Sequence, residues 1–135
     1  MKFQGSCLCK KIRYRCAAEL SGCCYCHCSI CRKLTGAAFA AYGGISKDYF
    51  DWVSGEELLA TFSPTPDTKR FSCSVCGSFL VTTHVDDPEY IFISLGSLDG
   101  EPNIEMQYHQ FTKSKVKWCV IDDRLKKYSA WPAES

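Results

Sequence analysis

The sequence predicts a mostly β fold with few short helices, and three observations predict it. Apolar and polar residues alternate in several short runs, as in Ile12, Tyr14 and Cys16 against Lys11, Arg13 and Arg15, the period of a half-buried strand. Turn formers such as Ser54-Gly55, Pro64-Thr65-Pro66-Asp67 and Asp86-Asp87-Pro88 cut these runs short. Cysteines recur in close sets: Cys7-Leu8-Cys9, Cys26-His27-Cys28-Ser29-Ile30-Cys31 and Cys73-Ser74-Val75-Cys76-Gly77. Such sets hold together short strands that bury little surface of their own.

In chain order, residues 3–16 read as a β-hairpin with a cysteine pair at its tip. Ser21-Gly22 breaks the pattern, and residues 23–28 follow as a short, tight segment. Residues 29–34 suit one or two helical turns, with Ser29 as the cap and Thr35-Gly36 as the stop. Residues 37–45 are small and apolar and contain Gly43-Gly44, which predicts a buried strand that something approaches closely. Residues 46–52 suit a short helix with Ser46 as N-cap and Asp48 in its first turn. Residues 58–62 and 69–71 are strands, the second leading into the Cys73 to Cys76 knuckle, where Gly77 allows a positive φ. Residues 79–85 lead out of it, and residues 90–95 are strongly β-prone. Residues 96–103 form a turn-rich loop, residues 105–111 alternate again, residues 115–121 form a last strand, and residues 122–128 close as a helical turn. No repeat, low-complexity tract or linker interrupts the chain, so one domain over residues 1–135 is expected.

Composition excludes several function classes. Hydrophobic residues make up 46% and the formal net charge is +1. That balance fits an ordinary packed core and gives no general pull toward nucleic acid or an anionic membrane. The N-terminal residues lack the apolar run of a signal peptide, and residues 37–45, the most apolar stretch, are too short to span a bilayer. A cytoplasmic protein without membrane or nucleic-acid partners is therefore expected. In a reducing compartment the eleven cysteines point to metal ligation or thiol chemistry ahead of disulfides.

Spacing divides the ligand candidates into two metal sites. Cys7, Cys9, Cys73 and Cys76 make two short chelates, the set for a closed structural zinc with four thiolates; the alternative is that Cys7 and Cys9 are ordinary buried thiols. Cys26, Cys28 and Cys31 supply three thiolates, the pattern of a catalytic zinc with an exchangeable position. The alternative there is a second closed site completed by Cys23 or Cys24, and an iron–sulfur cluster is a third reading. Three thiolates on Zn²⁺ leave a net charge near −1 and make a weak Lewis acid, which favours holding an incoming thiol over activating water.

These residues also carry a resemblance. Gly5-Ser6-Cys7-Leu8-Cys9, the run from Cys26 to Gly36, Arg70, Cys73 to Ser78, Leu95-Gly96-Ser97-Leu98-Asp99, His109 and Trp118 resemble the glutathione-dependent formaldehyde-activating enzyme (GFA) family, which includes the centromere protein V domain. The resemblance runs through nearly the whole chain. It implies a zinc-stapled β-tent, as in the suppressor-of-secretion proteins. It implies two Zn²⁺ per chain, structural at Cys7, Cys9, Cys73 and Cys76 and catalytic at Cys26, Cys28 and Cys31. The implied activity is that of a carbon–sulfur lyase acting on glutathione, or a similar small thiol, and formaldehyde.

Several other residues carry more than one reading. His27 lies between two ligands and reads as solvent-facing or as supporting them. His109 reads as a pocket residue and proton shuttle, or as a satisfied structural histidine. Arg32, Lys33 and Arg70 suit carboxylates of a glutathione-like ligand, solvated charge, or compensation of thiolate charge in the case of Arg32. Cys16 and Cys119 suit strand interiors, and Phe39, Tyr42, Phe50 and Trp52 suit the core ahead of a substrate box. For the whole chain, the alternative to an enzyme is a protein-binding module with two structural metals.

Overall fold

The computed structural model describes residues 2–132. The first hairpin forms where the alternation places it: β1 (Phe3–Ser6) and β2 (Arg13–Cys16) pair antiparallel, with Gly5 opposite Tyr14. The Tyr14 ring lies across Gly5 so closely that a Cβ there would fall 2.0 Å from it. Only glycine admits that approach. Strand β5 (Phe50–Ser54) joins the other side of β2 and completes a three-stranded sheet.

A mixed eight-stranded sheet makes up the rest. Its strands are β3 (Ser21–Cys26), β4 (Ala40–Ser46), β6 (Leu59–Phe62), β7 (Thr68–Cys73), β8 (Phe79–His84), β9 (Tyr90–Ser94), β10 (Tyr108–Gln110) and β11 (Lys126–Lys127). They lie in the order β11-β10-β3-β4-β9-β8-β7-β6. All pairs are antiparallel except those of β10, which runs parallel to both β3 and β11. The short helix α1 (Ser29–Thr35) connects β3 to β4.

Side chains alternate across a sheet, so each strand has two distinct jobs. One face of the large sheet presents Ile45, Val81 and Ile93, which pack with Tyr14, Cys16 and Phe50 of the small sheet around Ile12 and Leu80. Burying each such aliphatic side chain contributes about 1.5–3 kcal/mol. Within this core Tyr14 stacks on Phe50 with ring centroids 5.3 Å apart, and Trp52 meets both edge-on, at 6.0 Å from Tyr14 and 4.9 Å from Phe50. The opposite face presents Cys24 and Cys26 of β3 with Ala40 and Tyr42 of β4, in the registers Cys24 to Tyr42 and Cys26 to Ala40. Residues 25, 43 and 45 thus face away from this cluster, and the candidate site occupies the face that the small sheet leaves open.

Four expectations change. The helix expected at residues 46–52 is a single 3-10 turn, Lys47–Tyr49, which Ser46 does cap by accepting from the Asp48 N–H at 3.3 Å. The chain then extends as β5, because Phe50 and Trp52 alternate toward Tyr14 and gain more from the core than from a second helical turn. The tight segment at residues 23–28 is largely strand β3. The strand expected at residues 115–121 is irregular chain, with Trp118 and Val120 exposed. The edge of β10 is taken instead by β11, in place of the helical turn expected at residues 122–128. Cys119 consequently lies half-buried in irregular chain, whereas Cys16 is fully buried in β2. Among the described residues no helix is long and apolar enough to cross a membrane.

Candidate metal centres

The hairpin tip and the knuckle after β7 meet. The thiols of Cys7, Cys9, Cys73 and Cys76 all lie within 4.8 Å of one another, with Sγ separations of 3.5 Å for Cys7–Cys9 and 3.8 Å for Cys9–Cys73. Four thiolates about 2.3 Å from a tetrahedral zinc stand roughly 3.8 Å apart, so these residues fit the ion. The local backbone prepares the sulfurs to carry charge. The Ile12 N–H donates to Cys7 Sγ at 3.3 Å, and the N–H groups of Val75 and Cys76 point at Cys73 Sγ at 3.4 and 3.5 Å. The Ser78 hydroxyl, 3.2 Å from Cys76 Sγ, holds that thiol down at about 5. Gly77 takes φ 81° and closes the knuckle with an N–H to Cys73 O bond of 2.9 Å. Lys10 takes φ 66° in the hairpin tip.

The second set assembles around the start of α1. Cys26 ends β3, Cys28 precedes the helix and Cys31 lies in its first turn; their three thiols lie within 4.8 Å of one another. Cys28, not Ser29, is the N-cap: its sulfur accepts from the Cys31 N–H at 3.3 Å, with φ −65° and ψ 155°. A sulfur that caps a helix is already turned toward donors and suits a thiolate. Gly36 ends the helix at φ 65°. The three thiols perturb one another: sharing with Cys26, then Cys31, pulls Cys28 down to about 2, and the Cys28 sulfur pushes Cys26 up strongly.

No fourth His, Cys, Asp or Glu joins this set among the described residues. Cys23 points to the opposite face, beside Gly43. Cys24 shares the face of the triad but lies outside its cluster, and burial pushes its thiol up to about 11. In place of a fourth ligand there is a pocket of about 650 Å³, into which Cys26, Cys28 and Cys31 all open. Phe92, Tyr108 and Phe111 form apolar walls, and Arg70, Thr82 and Gln110 bring polar groups. Arg70 is 7% exposed, and its Nη1 donates to Tyr42 Oη at 2.7 Å and to Thr82 Oγ1 at 3.0 Å. Tyr42 in turn lies 3.3 Å from Cys31 Sγ, and burial raises its hydroxyl pKa well above the ordinary phenol value. Neither Arg32 nor Lys33 lines this pocket.

His27 is fully buried on the reverse side, contrary to a solvent-facing reading. Its Nε2 meets His109 Nδ1 at 2.8 Å, and His109 Nε2 meets Asp123 Oδ2 at 2.8 Å. The Asp123 carboxylate accepts from His109, leaving the His109 Nδ1 lone pair for the His27 N–H. Burial first, and then His109, lowers His27 to about 4, which keeps its ring neutral. His109 is therefore a satisfied structural residue behind the ligand strand and not part of the pocket lining. Sequence reasoning missed Asp123, which sits in irregular chain without any periodicity, and the Arg70–Tyr42 pair, which is joined only across four strands.

Comparison with known proteins gives the family and the fold. A family model described as glutathione-dependent formaldehyde-activating enzyme matches residues 2–114, a span that holds all seven clustered cysteines. A Schizosaccharomyces pombe protein named an uncharacterized lyase is 27% identical over 103 residues, which is 76% of this chain and 73% of the relative. A crystal structure of a Rhodobacter sphaeroides protein has the same fold, with a TM-score of 0.60 at 24% identity, over 73% of this chain and 89% of that one. With the family model covering most of its length and both cysteine clusters, this chain belongs to the glutathione-dependent formaldehyde-activating enzyme family.

Proposed function

We propose that this chain is a carbon–sulfur lyase that joins a small thiol such as glutathione to a small aldehyde such as formaldehyde, or runs the reverse reaction. The observation that carries the reading is the three-thiol cluster that has no fourth protein ligand among the described residues and opens into a pocket of about 650 Å³. That volume lies within the roughly 300–1,000 Å³ usual for small-molecule sites.

Cys7, Cys9, Cys73 and Cys76 would hold a structural zinc, and Cys26, Cys28 and Cys31 a catalytic one. When bound, the second zinc supplies a position where an incoming thiol is held as thiolate. The chain's own residues do the rest. Phe92, Tyr108 and Phe111 exclude water from the reacting atoms. Arg70, Thr82 and Gln110 offer donors on the same wall, where negative charge gathers on the aldehyde oxygen. In the forward direction the S–H bond breaks, sulfur bonds to the carbonyl carbon, the C=O π bond opens and the proton ends on oxygen. The reverse sequence releases aldehyde and thiol. The cysteines are free thiols, and we place the protein in the reducing cytosol.

The test compares zinc-loaded protein with its Cys28→Ser variant for S-hydroxymethylglutathione formation above the uncatalysed rate. Loss of one ligand should lower turnover more than about 100-fold while the melting temperature stays close to that of the parent. Equal turnover in the two proteins would refute the role of the triad. A wild-type protein loaded with two zincs and showing no thiol-dependent reaction would favour the binding module.

A further inference from the structure

Arg70 is a buried cation without a carboxylate partner among the described residues. It is 7% exposed. An uncompensated buried charge is strongly destabilising, so something nearby must answer it. Its neighbours are Tyr42 Oη at 2.7 Å, Thr82 Oγ1 at 3.0 Å and the Phe79 ring, whose centroid is 6.0 Å from the guanidinium carbon. None of these carries charge at neutral pH.

The chemistry of arginine fixes the direction of the bonds. A guanidinium has donors only, so Tyr42 must accept from Arg70 Nη1 through its oxygen. The hydroxyl hydrogen is then left for the other neighbour of that oxygen, Cys31 Sγ at 3.3 Å. The result is a buried string that runs guanidinium to hydroxyl to sulfur. Cys28 Sγ, by contrast, accepts backbone N–H groups, those of Cys31 and Ile30, and no hydroxyl among the described residues donates to it.

We propose that Arg70 and Tyr42 are a positioning pair that sets the charge on one ligand of the open site, making the Cys31 sulfur a weaker donor than it would be without the hydroxyl. The inference rests on a metal being held by Cys26, Cys28 and Cys31, and not on which thiol or aldehyde is used. Three thiolates around a divalent ion carry a net negative charge, and Arg70, one hydroxyl away, is the cation that answers it. A hydrogen bond to a thiolate draws electron density from the sulfur. A metal held by the triad would receive less charge from Cys31 and would accept a fourth ligand more readily. Arg70 also lines the pocket, and Asp67, Asp86 and Asp87 are among its other lining residues.

Cadmium-113 NMR of the cadmium-loaded protein tests this without substrate. The two clusters should give two resonances, and the closed cluster serves as the control for folding. Tyr42→Phe removes one oxygen and should move the open-site resonance well outside its linewidth while the closed-site resonance stays. Arg70→Met should move the same resonance in the same direction, because the hydroxyl is no longer held. A fluorinated tyrosine at position 42, a stronger donor, should move it the opposite way, and this measurement decides the matter if either substitution disturbs the fold. An open-site resonance unchanged by Tyr42→Phe overturns the proposal, and one unchanged by Arg70→Met overturns the part given to Arg70. A single cadmium resonance in the wild type also overturns it. Two resonances that respond as described, in a protein that turns over no thiol, would leave the pair standing and refute the lyase reading alone.

Discussion

His27 shows how one buried residue is decided by its partners. A histidine between two thiol ligands gives no sign, from the sequence, of which way it points. In the fold it is turned to the reverse of β3 and tied through His109 to Asp123, so that the C-terminal chain braces the segment between Cys26 and Cys28. His109→Phe keeps a ring to stack against Tyr25 but removes both hydrogen bonds and leaves the buried His27 N–H unpaired. The expected cost is about 1–3 kcal/mol, read as a lower melting temperature with the metal content of both sites retained. An unchanged melt would mean that the string does not brace the strand. The seven clustered cysteines are legible in the sequence because chelation is local: C-x-C and C-x2-C place sulfurs close whatever the rest of the chain does. Asp123 and Tyr42 are not legible, because their partners lie 14 and 28 residues away and only sheet register brings them together.

At the scale of elements, alternation located most strands, and the misses share a cause. Residues 50–52 read as the end of a helix because the capping signals at Ser46 and Asp48 are real, but they govern only one turn. The aromatic core then claims Phe50 and Trp52. Residues 115–121 read as a strand from their β-prone side chains, yet the edge beside β10 is occupied by β11. A strand needs a free edge as well as a pattern. The knuckle after β7 was legible because Gly77 follows the last ligand, and it does adopt φ 81°. A Cβ there meets nothing within 4 Å, so Gly77→Ala isolates backbone strain from packing. It should cost about 1–2 kcal/mol, with the open site untouched. A cost near zero would show that the knuckle has room to relax.

Across the whole molecule, the two clusters have different mechanical duties. The closed cluster joins the tip of the small sheet's hairpin to the end of β7 in the large sheet and adjoins the core through Cys7 and Cys73. The open cluster lies on the other face of the large sheet, at the mouth of a pocket. Cys73→Ser should therefore abolish the cooperative thermal melt, since structural zinc contributes on the order of 10 kcal/mol in small domains, whereas Cys28→Ser should retain it. Equal melts for the two variants would contradict this division. The central claim is that the second cluster keeps a coordination position for an outside thiol. Glutathione titrated into the cobalt-loaded protein, followed by visible absorption, tests it most directly. The ligand-field bands should change saturably in the wild type and stay fixed in Cys28→Ser. Bands in the fully loaded wild type that do not respond to glutathione would mean that both sites are closed.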